Sequence, residues 1–141
     1  MLDMTEAEGQ PLGFLLHRVA TALRAEVTTG ALDPEGLSFP EYICMRILSH
    51  SPGRSNAELA RDVIVSPQAM NMVVRGLQER GLVSRPATVA AGRSLPAELT
   101  REGTALLGRL DAGVREAERK VLAPLSEQDR RQFRRILADL G

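Results

Sequence analysis

Pro67, Gln68, Asn71, Met72 and Arg75 recur at one-turn spacing along a segment that reads as an amphipathic helix. Their chemistry is that of base recognition. Asparagine and glutamine amides can pair bidentately with adenine, and a guanidinium can do the same with guanine. Met72 or Pro67 can touch a thymine methyl. No carboxylate precedes Glu79 in this segment, so its first three turns would not repel phosphate. Ser55 and Ser66 mark two helix starts, places that suit phosphate oxygens. Arg93 sits near a loop tip, from which a minor groove is within reach. An ordinary solvated helix face can also carry Gln, Asn and Arg, so the reading depends on the elements that hold these residues.

Those elements are announced by their caps. Ser55 with Glu58 three residues on forms a capping box, and Leu59, Ala60 and Val63 give the helix that follows an apolar face. Ser66-Pro67 is a second start, a hydroxyl N-cap with proline at the first helical position. Met70, Val73, Val74 and Leu77 form its inner stripe, and Gly81 supplies the stop. Two helices with so short a joint must cross steeply, as in a helix-turn-helix, with the outer face of the second turned towards a major groove. Two short extended runs, Leu82 to Arg85 and Arg93 to Leu99, flank a loop with Gly92 at its tip and predict a β-hairpin. Pro86 and Pro96 push both runs towards sheet edges.

Longer helices frame this centre. Leu12, Leu15, Leu16, Val19, Leu23 and Val27 make a stripe that Gly30 and Pro34 end. Ser38 and Glu41 box-cap a helix that Pro52-Gly53 closes. Thr100 caps a long helix bearing Leu106, Leu107, Leu110, Val114 and Ala117. Ser126 with Asp129 starts the last one, with Phe133, Ile136, Leu137 and Leu140 on one side. The first and last stripes would leave apolar surface exposed in a single chain, and pairing two chains would bury it.

At 141 residues the chain is one domain or one domain plus an arm, with an aliphatic core, since aromatics are only 3%. Net charge is zero, so no global attraction to nucleic acid follows. The middle third is weakly basic: residues 51–100 hold six Arg against four acids, where residues 1–50 hold three Arg against seven. Cys44 is alone, which excludes a disulfide or a cysteine metal cluster within one chain. His17 and His50 fit no metal-ligand spacing, and neither a phosphate-cradling glycine loop nor a nucleophile elbow is present. Neither an enzyme, a metal site nor a cofactor is expected. The acidic start and the lack of any membrane-length apolar run point to the cytoplasm.

The order of these features resembles the MarR family of winged helix-turn-helix transcriptional regulators. The resemblance rests on Pro40-Glu41-Tyr42, Glu58-Leu59-Ala60, the recognition helix, Gly81-Leu82-Val83 with Arg85, a wing ending in Leu99-Thr100, and the long helix after it. It covers the chain from about Leu12 to Leu140. It implies a mainly α fold with a small β-wing. Residues 1–36 would form an N-terminal arm and dimerisation helix, 37–100 the winged helix-turn-helix domain, and 101–141 the C-terminal dimerisation helices. It further implies a homodimer on a pseudopalindromic double-stranded DNA operator, usually a repressor, often released by a small aromatic carboxylate or phenol.

A ligand between the dimerisation frame and the winged domain would meet Tyr42 and Met45 as apolar wall, with His17, Arg18 and Arg85 as donors. The family's usual Asp near the wing tip is replaced here, where Ala91, Gly92 and Arg93 stand, and a commonly basic recognition-helix position is Met72. Two other readings stay open: a redox-responsive regulator of the same fold acting through Cys44, and a winged-helix protein–protein interaction module that reads no specific DNA.

Overall fold

The computed structural model describes residues 7–85 and 96–141. Its helices are α1 (Leu12–Val27), α2 (Phe39–His50), α3 (Asn56–Val63), α4 (Pro67–Glu79), α5 (Arg101–Val121) and α6 (Glu127–Leu140), with strands β1 (Val83–Ser84) and β2 (Glu98–Leu99) between α4 and α5. Among the described residues the fold is mainly helical with one small antiparallel sheet, as the caps and stripes imply. Ser38, Ser55, Ser66 and Ser126 each accept a hydrogen bond from the backbone N–H three residues on, satisfying one orphan donor at the starts of α2, α3, α4 and α6. Glu41 and Glu58 return the bond to the serine backbone and complete two capping boxes. The Thr100 hydroxyl accepts from Gly103 N at 3.0 Å and donates to Gly81 O at 2.6 Å, tying the start of α5 to the end of α4.

Two compact units divide the chain, one spanning Leu32–Ala112 and the other formed by the segments up to Ala31 and from Gly113 onward. In the first, α2, α3 and α4 pack around Met45, Leu48, Leu59, Met70, Val74 and Leu77, all but inaccessible to solvent. The sheet pairs Val83 with Leu99 and Ser84 with Glu98. It is widened by a bridge from Arg54 to Ala97, with Ala97 N donating to Arg54 O at 3.0 Å. The segment ahead of α3 is thereby fastened to the returning strand, a pairing with no signal in the sequence. Leu106, Leu107 and Leu110 of α5 are buried as well. Gly103 marks a close approach, because a Cβ there would run into the Leu82 carbonyl.

The second unit is built from α1, the end of α5, and α6. The sequence places a helix stop at Gly30 and Pro34. The α-helix in fact ends at Val27 and passes through a π-helical turn, Thr28–Leu32, before the 3-10 turn Asp33–Glu35. Val27, Ala31, Val114 and Ala117 are buried, whereas α6 buries none of its residues. No described helix is long and apolar enough to cross a membrane.

Candidate nucleic-acid interface

Residues Ile64, Val65 and Ser66 alone join α3 to α4. The joint is tight because Ile64 takes a left-handed conformation (φ 62°, ψ 56°) and Val65 N reaches back to Ala60 O at 3.0 Å. This 6→1 bond ends a helix and turns the chain at once. Ser66 then caps α4, with its hydroxyl 3.1 Å from Ala69 N, and Pro67 occupies the first helical position. Burial of Met70, Val74 and Leu77 fixes the rotation of α4 about its axis. Pro67, Gln68, Asn71, Met72 and Arg75 are consequently exposed together on the opposite side, Met72 at 75%. A thioether so open to water has no role in this unit's core. The face combines two amides, a guanidinium and apolar atoms, a set that can read base edges.

Ser55 is half-buried, and its hydroxyl oxygen accepts from Glu58 N at 3.2 Å. The backbone N–H of Ser55 donates to Glu58, and with Arg54 at 2.9 Å it holds that carboxylate below its usual range. Glu58 is thus committed to the cap and to Arg54. Arg93, with Ala91 and Gly92, lies outside the described residues. The hairpin reading is supported at its base, where β1 and β2 pair.

Of the residues expected to meet an aromatic acid, His17 and Arg18 are exposed on α1, with the Arg18 guanidinium 5.8 Å from the Phe14 ring centroid. Tyr42, Met45 and Arg85 belong to the other unit. Tyr42 is buried, its hydroxyl accepting from Arg46 Nε at 3.1 Å, and Arg46 in turn reaches Asp111 at 3.3 Å. Met45 is wholly enclosed in the core. Arg85 follows β1 and is half-buried. Its Nη2 donates to Asn56 Oδ1 at 3.2 Å, while its buried Nε meets no acceptor among the described residues. Burial draws this guanidinium below its ordinary pKa, and the neighbouring Cys44 sulfur opposes that shift. A buried N–H without a partner is uncommon and is suited to an incoming oxygen.

Cys44 is fully buried, and burial pushes its thiol up to about 12, against the opposing field of Arg85. A sensor thiol needs exposure and a lowered pKa, and Cys44 has neither in this chain. Sequence proximity makes Arg46 the nearest basic residue; the fold instead brings Arg85 to the sulfur. Among the described residues no group of His, Cys, Asp and Glu could hold a metal ion.

Comparison with known proteins bears on this geometry. A model of the MarR family matches residues 35–94. The HTH-type transcriptional repressor Rv2887 of Mycobacterium tuberculosis is 54% identical over 135 residues, 96% of this chain and 96% of its own length. This chain belongs to the MarR family. The crystal structure of the M. tuberculosis MarR family protein Rv2887 with salicylic acid has 53% sequence identity and a TM-score of 0.80, covering 96% of this chain and 99% of that one. The structure of the same mycobacterial protein with DNA has 50% identity and a TM-score of 0.77, covering 94% and 98%. Sequence reasoning passed over Asn56, because an asparagine at a helix start carries no chemical signature of its own. Only the fold shows that it touches Arg85 and, at 3.4 Å, the carbonyl of Pro67.

Proposed function

We propose that this chain is a DNA-binding transcriptional repressor, active as a homodimer on a pseudopalindromic operator and released by a small aromatic acid or phenol. The carrying observation is the exposed face of α4. A helix rotated by its own core presents Gln68, Asn71, Met72 and Arg75 together, behind a three-residue turn. A repressor relative with a DNA complex and a salicylate complex, alike over nearly its full length, supports both halves of the reading. Ser55 and Ser66 would hold the phosphates beside the groove, Pro67 would touch a thymine methyl, and Arg93 would extend the contact from the wing. Regulation of this kind involves neither a catalytic reaction nor a cofactor, and it operates in the cytoplasm.

Residues 37–100 would form the DNA-binding domain, and 1–36 with 101–141 the dimerisation region. The support for dimerisation is apolar surface that one chain leaves open. Leu12, Phe14 and Leu16 of α1 and Leu137 and Leu140 of α6 are exposed. A groove of about 620 Å³ in the same unit has Leu23, Leu122, Phe133 and Leu137 among its lining, rimmed by arginines. Two copies would set their recognition helices one DNA turn apart, roughly 34 Å.

Arg85 supports the effector reading, since it offers a half-buried guanidinium with a spare N–H to a carboxylate. His17, Arg18 and Tyr42 would complete the ligand's surroundings, and Met45 would back that wall from within the core.

Titration of the protein against its own upstream DNA over a salt series tests the reading. Steep salt dependence with a preferred sequence is expected. Asn71→Ala and Arg75→Ala should each cost about 1–3 kcal/mol on the preferred sequence and far less on random DNA. Flat, weak binding to every sequence would instead favour a protein–protein module.

A further inference from the structure

Asn56 is the first residue of α3, and its side-chain amide stands between two elements that are distant in sequence. Its Oδ1 accepts from Arg85 Nη2 at 3.2 Å, and its Nδ2 donates to Pro67 O at 3.4 Å. The orientation of the amide follows from its neighbours. Arginine can only donate and a backbone carbonyl can only accept, so the oxygen must face Arg85 and the nitrogen Pro67. Pro67 opens the recognition helix α4, and Arg85 is the residue directly after β1. We propose that Asn56 is a positioning residue that ties Arg85 to the start of the recognition helix, so that an aromatic carboxylate taking Arg85 withdraws the restraint on α4.

This inference rests on the proposed release by an aromatic acid and adds the route by which release reaches the DNA face. Among the described residues Arg85 spends Nη2 on Asn56 and leaves Nε without an acceptor. A carboxylate that bridges Nε and a terminal nitrogen makes the bidentate pair that a guanidinium favours. It competes with Asn56 for the donor it needs. Asn56 then loses the partner that orients its amide, and the bond to Pro67 loses its support. DNA binding wants α4 held, and the ligand wants Arg85 free. Linkage makes these two demands oppose one another in equal measure.

The relay makes a prediction that a purely structural role does not. Without Asn56 the ligand has no competitor, so Asn56→Ala should bind salicylate about fivefold more tightly, the worth of one ordinary hydrogen bond. The same variant should hold operator DNA about fivefold less tightly before any ligand is added. Salicylate should then weaken its DNA binding by a smaller factor than in the wild type. Asn56→Asp separates the two halves: a carboxylate still accepts from Arg85, more strongly, but cannot donate to Pro67. It should bind salicylate more weakly than wild type and DNA more weakly as well. An acidic residue at the first position of α3 suits the helix dipole, which keeps this variant folded.

The experiment is calorimetry with salicylate and operator titration with and without it, on wild type and both variants, with thermal midpoints as the check on folding. Opposite shifts in salicylate affinity for the Ala and Asp variants establish the relay. If both bind salicylate as the wild type does and lose DNA by the same factor, the relay is overturned while release by the acid stands. If salicylate leaves the wild type's grip on DNA unchanged, release itself fails and the relay falls with it.

Discussion

Helices α4 and α6 are nearly equal in length, at 13 and 14 residues, and each carries an apolar stripe on one side. α4 buries Met70, Val74 and Leu77, and what it leaves exposed is the polar set Gln68, Asn71 and Arg75, with Met72. α6 buries nothing, and Ile136, Leu137 and Leu140 stay open to solvent. The contrast separates two meanings of amphipathicity. In α4 the stripe closes a core within the chain and thereby aims the opposite face. In α6 the stripe has no such core, and the surface it offers is the kind that a second copy covers. Periodicity alone cannot tell the two apart.

The largest effect should come from α6. Leu137→Asp with Leu140→Asp would place carboxylates in the proposed subunit contact, costing roughly 3–5 kcal/mol for each charge left unpaired there. The dissociation constant should rise by at least about ten-thousandfold. Sedimentation equilibrium should show monomers that keep the helical circular dichroism of the wild type. A wild-type chain that is itself monomeric at micromolar concentration would break the comparison at its root.

In the proposed DNA reader, the unit Leu32–Ala112, the expected cost is one of folding rather than association. Leu59 is fully enclosed, so Leu59→Ala should lose about 2–5 kcal/mol, the range for a buried leucine cut to alanine. Urea unfolding should show that loss unchanged across a hundredfold range of protein concentration if the unit closes its own core. A loss that grows on dilution would tie the core of the reader to the subunit contact.

A smaller, pH-dependent effect follows from Cys44. Its thiol is raised from 9.0 to about 12 by burial, so the folded chain resists ionisation that the unfolded chain allows. Stability from this group is complete below pH 9 and is lost as pH rises towards 12. One pH unit above the unfolded value, the wild type should have lost about 1 kcal/mol that Cys44→Ala does not lose. Unfolding midpoints of both proteins at pH 8 and pH 10 measure the difference. The same burial should keep the native thiol unreactive towards alkylation. Rapid modification that frees DNA would restore the redox reading.

These contrasts mark how far the sequence reaches. The starts of α2, α3, α4, α5 and α6 were legible, because Ser38, Ser55, Ser66, Thr100 and Ser126 act on neighbours three residues away. The exposed side of α4 was legible for the same reason, since helical periodicity is a local property. What pairs across the chain was not. The bridge from Arg54 to Ala97, the approach of Arg85 to Cys44 and the amide of Asn56 each join residues brought together only by the fold. Met45 offered itself as a ligand wall by type, and its complete burial depends on packing that a one-dimensional pattern does not encode.

The smallest expected effect is a gain. Gly81 ends α4 at φ 72°, with Leu82 N bonded to Leu77 O at 2.9 Å. Ile64 holds the equivalent place at the end of α3 at φ 62°, with Val65 N bonded to Ala60 O at 3.0 Å. Glycine takes this conformation freely, whereas a β-branched residue brings its Cβ against a backbone oxygen, at about 1–2 kcal/mol. The Ile64 side chain is 87% exposed, so packing within the chain does not offset that cost. Ile64→Gly should therefore stabilise the protein by about 1 kcal/mol, after the extra freedom glycine gives the unfolded chain is subtracted. Ile64→Asn should fall between the two, since asparagine tolerates the left-handed region better than isoleucine. Urea midpoints of the three proteins give the order. A glycine variant less stable than the wild type would mean that the isoleucine is covered in the assembled protein. The reader, like α6, would then be incomplete without a partner, and the distinction between the two regions would narrow to one of degree.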